Sequence, residues 1–209
     1  MNRSGRLRSP GLIALAVVCG SLSACAPLLL GGAVVGGSLI ATDRRSSATQ
    51  LEDQLIEVKA GTRIREVLGE RGRASSTSYN RLVLLTGDVA TEADKAAVEQ
   101  AVSRVDNVKS IVNELAVMGS LSLGSRTNDA LISTKVKASI VDTKDLYANS
   151  IKVVTERGVV YLMGRVTDRE ATQAANVARG VNGVQKVVRV FEILSDGELA
   201  ELQPKTLTK

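Results

Sequence analysis

Hydrophobic and polar positions follow the same succession of periods twice along the chain. In the second half, Ile132, Val136 and Ile140 recur at helical spacing, and a hairpin rich in β-branched residues follows at 151–166. An alanine-rich helical segment and a last strand at 184–194 complete the series. Each half of the chain is therefore predicted to form a helix, two strands, a second helix and a third strand.

Capping residues mark where the predicted helices begin. Asn128 is the predicted cap of the first helix in the second half. Thr167 and Glu170 have the spacing of a capping box at the start of the second helix, and Thr91 and Asp94 occupy the same places in the first half. These polar positions support the same element order in both halves.

The two halves are copies of one unit. The segment 81–91 matches 158–168 at an offset of 77 residues. Three further positions correspond: Asp53 with Asp129, Leu55 with Leu131, and Ile56 with Ile132. Gly87 and Gly164 are also equivalent, and they indicate a bulge or a close approach of the backbone within a strand. A repeat of roughly 70 residues is near the lower size for independent folding, so we predict two tandem domains.

The predicted fold class is α+β, with the two domains at 48–118 and 127–195. An antiparallel hairpin, joined through a helical crossover to a parallel third strand, gives a three-stranded mixed sheet covered on one face by two helices. A linker is predicted at 119–126, and a flexible tail at 196–209.

The first 24 residues have the layout of a secretory signal. Three arginines precede an apolar run at 11–18, which is too short to span a bilayer, and small residues follow it. The sequence Leu22-Ser23-Ala24-Cys25 resembles the lipobox of bacterial lipoproteins. This resemblance implies cleavage before Cys25, diacylglycerol on its sulfur and an acyl chain such as palmitate on its new amino group. An ordinary secreted protein with a chance cysteine is the alternative.

The segment 25–47 is predicted to be a lipidated, glycine-rich linker. It ends in the polar sequence Asp43-Arg44-Arg45-Ser46-Ser47, which indicates a hinge. Two acyl attachments give stable membrane anchoring, since each buried methylene contributes about 0.8 kcal/mol. The cysteine is followed by Ala26 rather than by an aspartate, which would signal inner-membrane retention. The expected location is therefore the periplasmic face of the outer membrane.

The composition excludes several functional classes. The chain contains no histidine, so it has no imidazole base and no histidine metal site. Beyond residue 24 the net charge is only +2, and aromatic residues are 2% of the chain, which argues against nucleic-acid binding. We therefore expect a non-enzymatic protein with no catalytic residue, no metal and no cofactor beyond the covalent lipid on Cys25.

The second copy resembles a known domain family. The motifs that carry the resemblance are Asn128-Asp129, Thr134-Lys135-Val136 and the continuous stretch 159–171. They are very similar to a BON domain, and nearly the whole chain resembles the dual BON-domain outer-membrane lipoproteins. The resemblance implies that the first helix of the second domain contacts phospholipid. It also implies a role in envelope integrity and enrichment at division sites. The family pattern has an aromatic residue at the position of Leu131, and this sequence departs from it there.

The charges of the two copies favour the second one as the membrane-facing domain. Residues 46–118 hold 9 basic and 11 acidic side chains, whereas residues 119–195 hold 11 and 7. On the first helix of the second copy, Leu131, Lys135 and Ala138 lie on one side, beside the buried stripe. We predict that these three residues contact an anionic phospholipid membrane, with the leucine at the acyl boundary and the lysine at headgroup level.

Each of these residues also has a purely structural interpretation. Leu131 could pack against the other domain or the first strand, and Lys135 and Lys137 could form a solvated helix face. Leu146 and Tyr147 could reach lipid or form a local plug of the core. A rival hypothesis for the whole chain is a protein-interaction scaffold, in which the acidic first domain docks an outer-membrane assembly or a cell-wall protein partner.

Overall fold

The structure, a computed structural model, describes residues 43–118 and 123–202. Cys25, the predicted signal and the glycine-rich part of the linker lie outside the described residues. So do residues 119–122, in the predicted inter-domain linker, and residues 203–209.

The described chain contains the predicted order of elements in both copies. The first domain consists of α1 (Ser47–Leu68), β1 (Gly72–Tyr79), β2 (Leu82–Val89), α2 (Glu92–Ser103), β3 (Ser110–Asn113) and β4 (Ala116–Val117). The second consists of α3 (Leu123–Val141), a 3-10 turn (Ala148–Ser150), β5 (Ile151–Glu156), β6 (Val159–Val166), α4 (Asp168–Arg179) and β7 (Lys186–Ile193). A short helix, α5 (Asp196–Leu202), follows the second domain.

Each domain contains a mixed sheet with its second strand in the centre. β2 is antiparallel to β1 and parallel to the two short pieces β3 and β4, while β6 is antiparallel to β5 and parallel to β7. The helices α1 and α2 cover one face of the first sheet, and α3 and α4 cover one face of the second. The predicted α+β fold is confirmed in both domains.

Two of the predicted helix starts are confirmed by their hydrogen bonds. The hydroxyl of Thr91 accepts a bond from the backbone N–H of Asp94 at 3.0 Å, at the start of α2. Thr167 and Glu170 form a complete capping box at the start of α4, in which each side chain accepts from the backbone N–H of the other residue. The crossover helix of each domain thus begins at the same place in the repeat.

Two other boundaries differ from the sequence prediction. Asn128 is not a cap, because α3 begins earlier, at Leu123, within the second half of the segment predicted to be a linker. No proline precedes Asn128 in this segment, so nothing interrupts the helix. At the other end, Ser195 and Glu198 make the reciprocal hydrogen bonds of a capping box, and α5 forms where a flexible tail is predicted.

A buried aspartate on the first helix of each domain fixes the hairpin of that domain. Asp129 accepts hydrogen bonds from the backbone N–H groups of Arg157 and Gly158, both at 2.8 Å. Asp53 accepts two bonds of the same length from the turn of the first hairpin. All four turn residues have positive φ, as a type I′ turn requires, and the carboxylates satisfy their backbone donors. The aspartates that the repeat aligns therefore have one structural role.

Gly87 and Gly164 lie where the two strands of each hairpin come close together. A Cβ at Gly87 would collide with the carbonyl oxygen of Arg73, and a Cβ at Gly164 would collide with that of Ser150. The predicted close approach of the backbone is confirmed at both positions, so these glycines serve the fold.

The two sheets pack face to face and bury an apolar layer between the domains. Val83 and Leu85 belong to the core under α1 and α2, whereas Leu84 between them belongs to the layer between the sheets. This inter-sheet layer comprises Tyr79, Leu84, Tyr161, Met163 and Val190, with partly buried aliphatic residues around them. The order through the molecule is therefore helices, sheet, sheet and helices.

Ion pairs of consistent polarity border the inter-sheet layer. The Nε of Arg157 donates to the buried Asp88 carboxylate at 2.8 Å, and the Lys152 ammonium lies 2.7 Å from Glu57. In both pairs the acid belongs to the first domain and the base to the second. The opposite net charges of the two domains therefore support their association.

All three apolar clusters lie within residues 56–191, so a protein truncated to 42–209 retains every core contact. In this truncated protein, Asp129→Ala should lower the free energy of unfolding by about 1–3 kcal/mol, because two backbone N–H groups of the turn lose their acceptor. Asp142→Ala removes an exposed aspartate just after the same helix and should have little effect. Urea unfolding measures both variants, and equal stabilities would contradict the role given to Asp129.

Candidate membrane-contact site

The outward face of α3 contains the three residues that the sequence assigns to membrane contact. Leu131 is 55% exposed, and Lys135 and Ala138 are exposed on the same side of the helix. More than half of the Leu131 surface therefore lies outside the packing of either domain. Val141, 61% exposed, lies one turn beyond Ala138 and continues the face. The sequence analysis missed Val141, although its spacing from Ala138 is the signal that identifies it.

These four residues, the α3 contact face, lie beside a fully buried stripe. Ile132, Val136 and Ile140 pack into the core of the second domain and are at most 1% exposed. The apolar residues of α3 thus occupy two adjacent sides of the helix, of which only one is used by the fold.

The positive charge of the α3 contact face comes from Lys135, and Lys137 lies beside the face. Within the described residues, neither Lys135 nor Lys137 has a carboxylate at ion-pair distance. Asp142 lies at the far end of the face and opposes them with one negative charge. Near Lys135 the face is therefore basic, and its ammonium group is available to an anion.

Shallow grooves run along both sides of α3. The groove towards α4 is lined by Lys135, Ser139 and Val177, among others. The groove towards β5 is lined by Thr134 and Lys137, among others. The α3 contact face is thus a ridge with amine and hydroxyl groups beside it, an arrangement suited to apolar contact at the crest and polar contact below.

The first domain provides an internal comparison for this face. Leu55 on α1 is equivalent to Leu131 and is equally exposed, at 53%. The lysine that follows it by one turn, Lys59, lies 2.9 Å from the carboxylate of Asp106. The two helices therefore present the same leucine but differ in free positive charge.

The segment before α1 is fixed to both domains. Arg44 donates to both carboxylate oxygens of Glu170 at 2.7 and 2.8 Å, in the second domain, and Arg45 donates to Asp53 at 2.8 Å, in the first. The hinge predicted here is wrong, because each guanidinium finds a buried carboxylate that the local sequence does not reveal. We call residues 43–45 the tether clamp.

Aromatic rings border the tether clamp. The guanidinium of Arg45 lies 3.9 Å from the ring centroid of Tyr79, and that of Arg44 lies 5.5 Å from the ring centroid of Tyr147. Tyr147 is half-exposed, whereas its neighbour Leu146 is buried in the core of the second domain. The local core plug predicted as one role for this pair is thus formed by Leu146.

The clamp shifts the titration of the groups it contacts. Burial alone would raise the pKa of Glu170, but hydrogen bonds from Arg44 and Thr167 outweigh it and hold that pKa below its usual value. Burial, reinforced by the nearby Asp43, raises the pKa of Tyr79 to about 12. At neutral pH the clamp is therefore an ionised Arg–Glu pair beside a neutral phenol.

Among the described residues, neither a membrane-spanning helix nor a candidate metal site is found. None of their helices is long and apolar enough to cross a membrane, and they contain no group of three side chains suited to hold a metal ion.

A family model of the BON domain matches residues 57–119 and 128–195, which coincide with the two structural repeats. The chain belongs to the BON domain family. The BON resemblance of the sequence is confirmed, and the two repeats are BON domain 1 and BON domain 2.

Three curated relatives match between half and most of this chain. Outer membrane lipoprotein DolP of Haemophilus influenzae is 32% identical over 185 residues, covering 86% of this chain and 95% of that protein. The 21 kDa hemolysin of Actinobacillus pleuropneumoniae is 31% identical over 151 residues, covering 71% and 78%. Osmotically-inducible protein Y of Escherichia coli is 35% identical over 109 residues, covering half of each chain.

The tether clamp gives BON domain 2 a pH-dependent contribution to stability. Because the pKa of Glu170 lies below its usual 4.5 in the folded chain, the contribution is present above pH 4.5 and is lost as the pH falls through the folded value. Arg44→Gln in residues 42–209 should lower the free energy of unfolding by about 3 kcal/mol at pH 7, since Glu170 keeps a buried charge without its cation. The difference in the free energy of unfolding between the variant and the unsubstituted protein should become smaller at acidic pH.

Urea unfolding at pH 7 and at pH 3.5–4 measures this loss. Arg63→Gln is the control, because Arg63 pairs with Glu66 on the exposed side of α1 and such pairs contribute about 0–1 kcal/mol. An Arg44→Gln variant that is as stable as Arg63→Gln at pH 7 would show that the clamp adds nothing to the fold.

Proposed function

We propose that this chain is a non-enzymatic outer-membrane lipoprotein, anchored through acylated Cys25, whose BON domain 2 contacts anionic phospholipid. Its role is to support envelope integrity, at division sites. The lipid on Cys25 provides the attachment, and the α3 contact face determines which side of the folded body meets the membrane.

The anchor is supported by the lipobox-like sequence that ends at Cys25 and by the relatives. One relative, which this chain matches over 95% of the relative's length, is named an outer membrane lipoprotein. A secreted lipoprotein needs no further segment to remain on a membrane, because two covalent attachments bury enough methylene groups for stable binding. The α3 contact face therefore acts on a protein that is already at the bilayer.

One observation carries the phospholipid contact: Leu131 is exposed beside a lysine that has no partner among the described residues. Full burial of a leucine side chain contributes about 1.5–3 kcal/mol, and each basic group near an anionic surface contributes about 1 kcal/mol. The sum is small beside that of a two-chain lipid anchor, but it gives a weak, measurable affinity for an anionic surface and is sufficient to orient a protein that is already tethered.

Vesicle flotation of residues 42–209 tests this contact without the lipid anchor. We expect binding to vesicles that contain anionic phospholipid, little binding to neutral vesicles, and loss of binding in Leu131→Glu. Ile193→Glu is a matched control, because Ile193 is a 51% exposed aliphatic residue of BON domain 2 that lies on β7 rather than on α3. Equal binding of the two variants would rule out the α3 contact face.

The contribution of Lys135 has a separate signature. Lys135→Glu should weaken binding to anionic vesicles and make that binding less dependent on salt. The variant loses the ammonium group of the face, so there is less electrostatic attraction for salt to screen. Lys186→Glu changes the net charge by the same amount on an exposed strand position, and it should preserve most of the binding. Salt titration of the bound fraction distinguishes a local lysine contact from a general effect of net charge.

A second candidate function is protein docking through BON domain 1. It is favoured by one observation, the exposed aliphatic residues on α1, which include Leu51, Leu55 and Val58. Substitutions on this surface should impair envelope function without changing vesicle binding, whereas Lys135→Glu should leave the docking intact.

A further inference from the structure

The helix α1 is apolar on two opposite sides. Its buried side contains Ile56, Ala60 and Ile64, all at most 3% exposed. On the opposite side, Leu51 and Val58 are 58% and 68% exposed, and Leu55 lies between them. At about 100° per residue, this exposed stripe is centred roughly 180° from the buried one. The fold of BON domain 1 therefore does not use it.

The spacing of the exposed stripe is that of a two-helix seam. Ala48, Leu51, Leu55, Val58 and Thr62 follow one another at intervals of three and four residues, and all five are exposed. This alternation places them at the a and d positions of successive heptads, where two helices interdigitate. This spacing suits any helix face that meets an apolar surface, and a second helix is one such partner.

The charged residues that flank the stripe in one copy are complementary to those of a second, antiparallel copy. Glu52 and Lys59 both occupy the heptad position that follows d. If two α1 helices pack antiparallel, with Leu55 of one copy against Val58 of the other, Glu52 of each copy lies beside Lys59 of the other. The twofold axis repeats this favourable pair.

A glycine on the other flank fits the same arrangement. Gly61 lies in the interior of α1, where glycine costs about 0.5–1 kcal/mol relative to alanine. A Cβ there would meet only the end of the Arg65 side chain, at 3.6 Å, so the fold itself does not require the glycine. In the antiparallel register Gly61 faces Gln54 of the second copy, and its missing side chain allows the helices to approach closely.

We propose that two copies of this chain associate through α1, antiparallel about a twofold axis, with the exposed stripe as the seam. The seam spans about four helical turns, and we expect the dimer to be in concentration-dependent equilibrium with the monomer. It lies on the opposite side of the four-layer body from α3. In the dimer the two α3 contact faces point away from each other, so only one of them can meet a given flat membrane, and association does not depend on lipid.

Sedimentation velocity on residues 42–209 tests the association in the absence of membranes. We expect the unsubstituted protein to shift from monomer to dimer as its concentration rises. Leu55→Glu should raise the dissociation constant about a hundredfold, because each dimer loses two buried leucines. Leu131→Glu is the matched control at the equivalent position of BON domain 2, and it should dimerise normally. A protein that sediments as a monomer at every concentration overturns the proposal.

A charge exchange tests the antiparallel register. Glu52→Lys and Lys59→Glu should each weaken the dimer, and the double variant should restore it. Within one molecule, Glu52 pairs with Arg81 and Lys59 with Asp106, so the double variant worsens both intramolecular pairs and a recovery must come from the second copy. Failure of the double variant to recover, with a native circular dichroism spectrum, overturns the proposed register.

Outcomes of these measurements are separable from those of the phospholipid proposal. Leu55→Glu that lowers vesicle binding without changing the association state would assign the stripe to lipid and overturn the seam. Leu55→Glu that is monomeric yet floats with anionic vesicles supports the seam and leaves the α3 contact face intact.

Discussion

The packing of the two sheets against each other is the constraint on which the rest of the structure depends. A three-stranded sheet of aliphatic residues has two faces, and in each BON domain the helices cover only one. The other face would expose residues such as Leu84 and Met163, each of which is fully buried in the layer between the sheets. Because each domain supplies the cover that the other lacks, the duplication is a condition of the fold. The helices are thereby confined to the two outer sides.

The tether clamp follows from the same packing. Arg44 reaches Glu170 and Arg45 reaches Asp53, and these two carboxylates lie in different domains. The arginines are adjacent in sequence, so both contacts require that the packing of the two sheets bring the carboxylates close together. The segment before α1 therefore joins the folded body at a fixed point beside Tyr147. If the chain is anchored through Cys25 as proposed, this fixed attachment restricts the orientations among which the α3 contact face has to select.

The sequence predicts the features that hydrophobic spacing and helix caps determine. It does not predict the features that depend on contacts between residues far apart in the chain. The element order, the capping box at Thr167 and the exposed position of Leu131 on one helix face follow from spacing alone. The inter-sheet layer does not, because strands that are apolar on both faces do not reveal whether helices or another sheet will cover each face. Arg44 looks like part of a hinge for the same reason, since its carboxylate partner lies 126 residues away. Exposure of Val141 was within reach of the same spacing argument that identified Ala138.

Comparison of the two repeats separates what the fold requires from what each copy has acquired. Both copies have the buried aspartate that holds the hairpin turn and the exposed leucine on the first helix. They differ in the charge beside that leucine, because Lys59 is neutralised by Asp106 while Lys135 is not. The leucine is half-exposed in both domains, so the fold of neither domain uses it fully. This difference in charge is the basis for proposing an anionic surface as the partner of α3 and a second helix as the partner of α1.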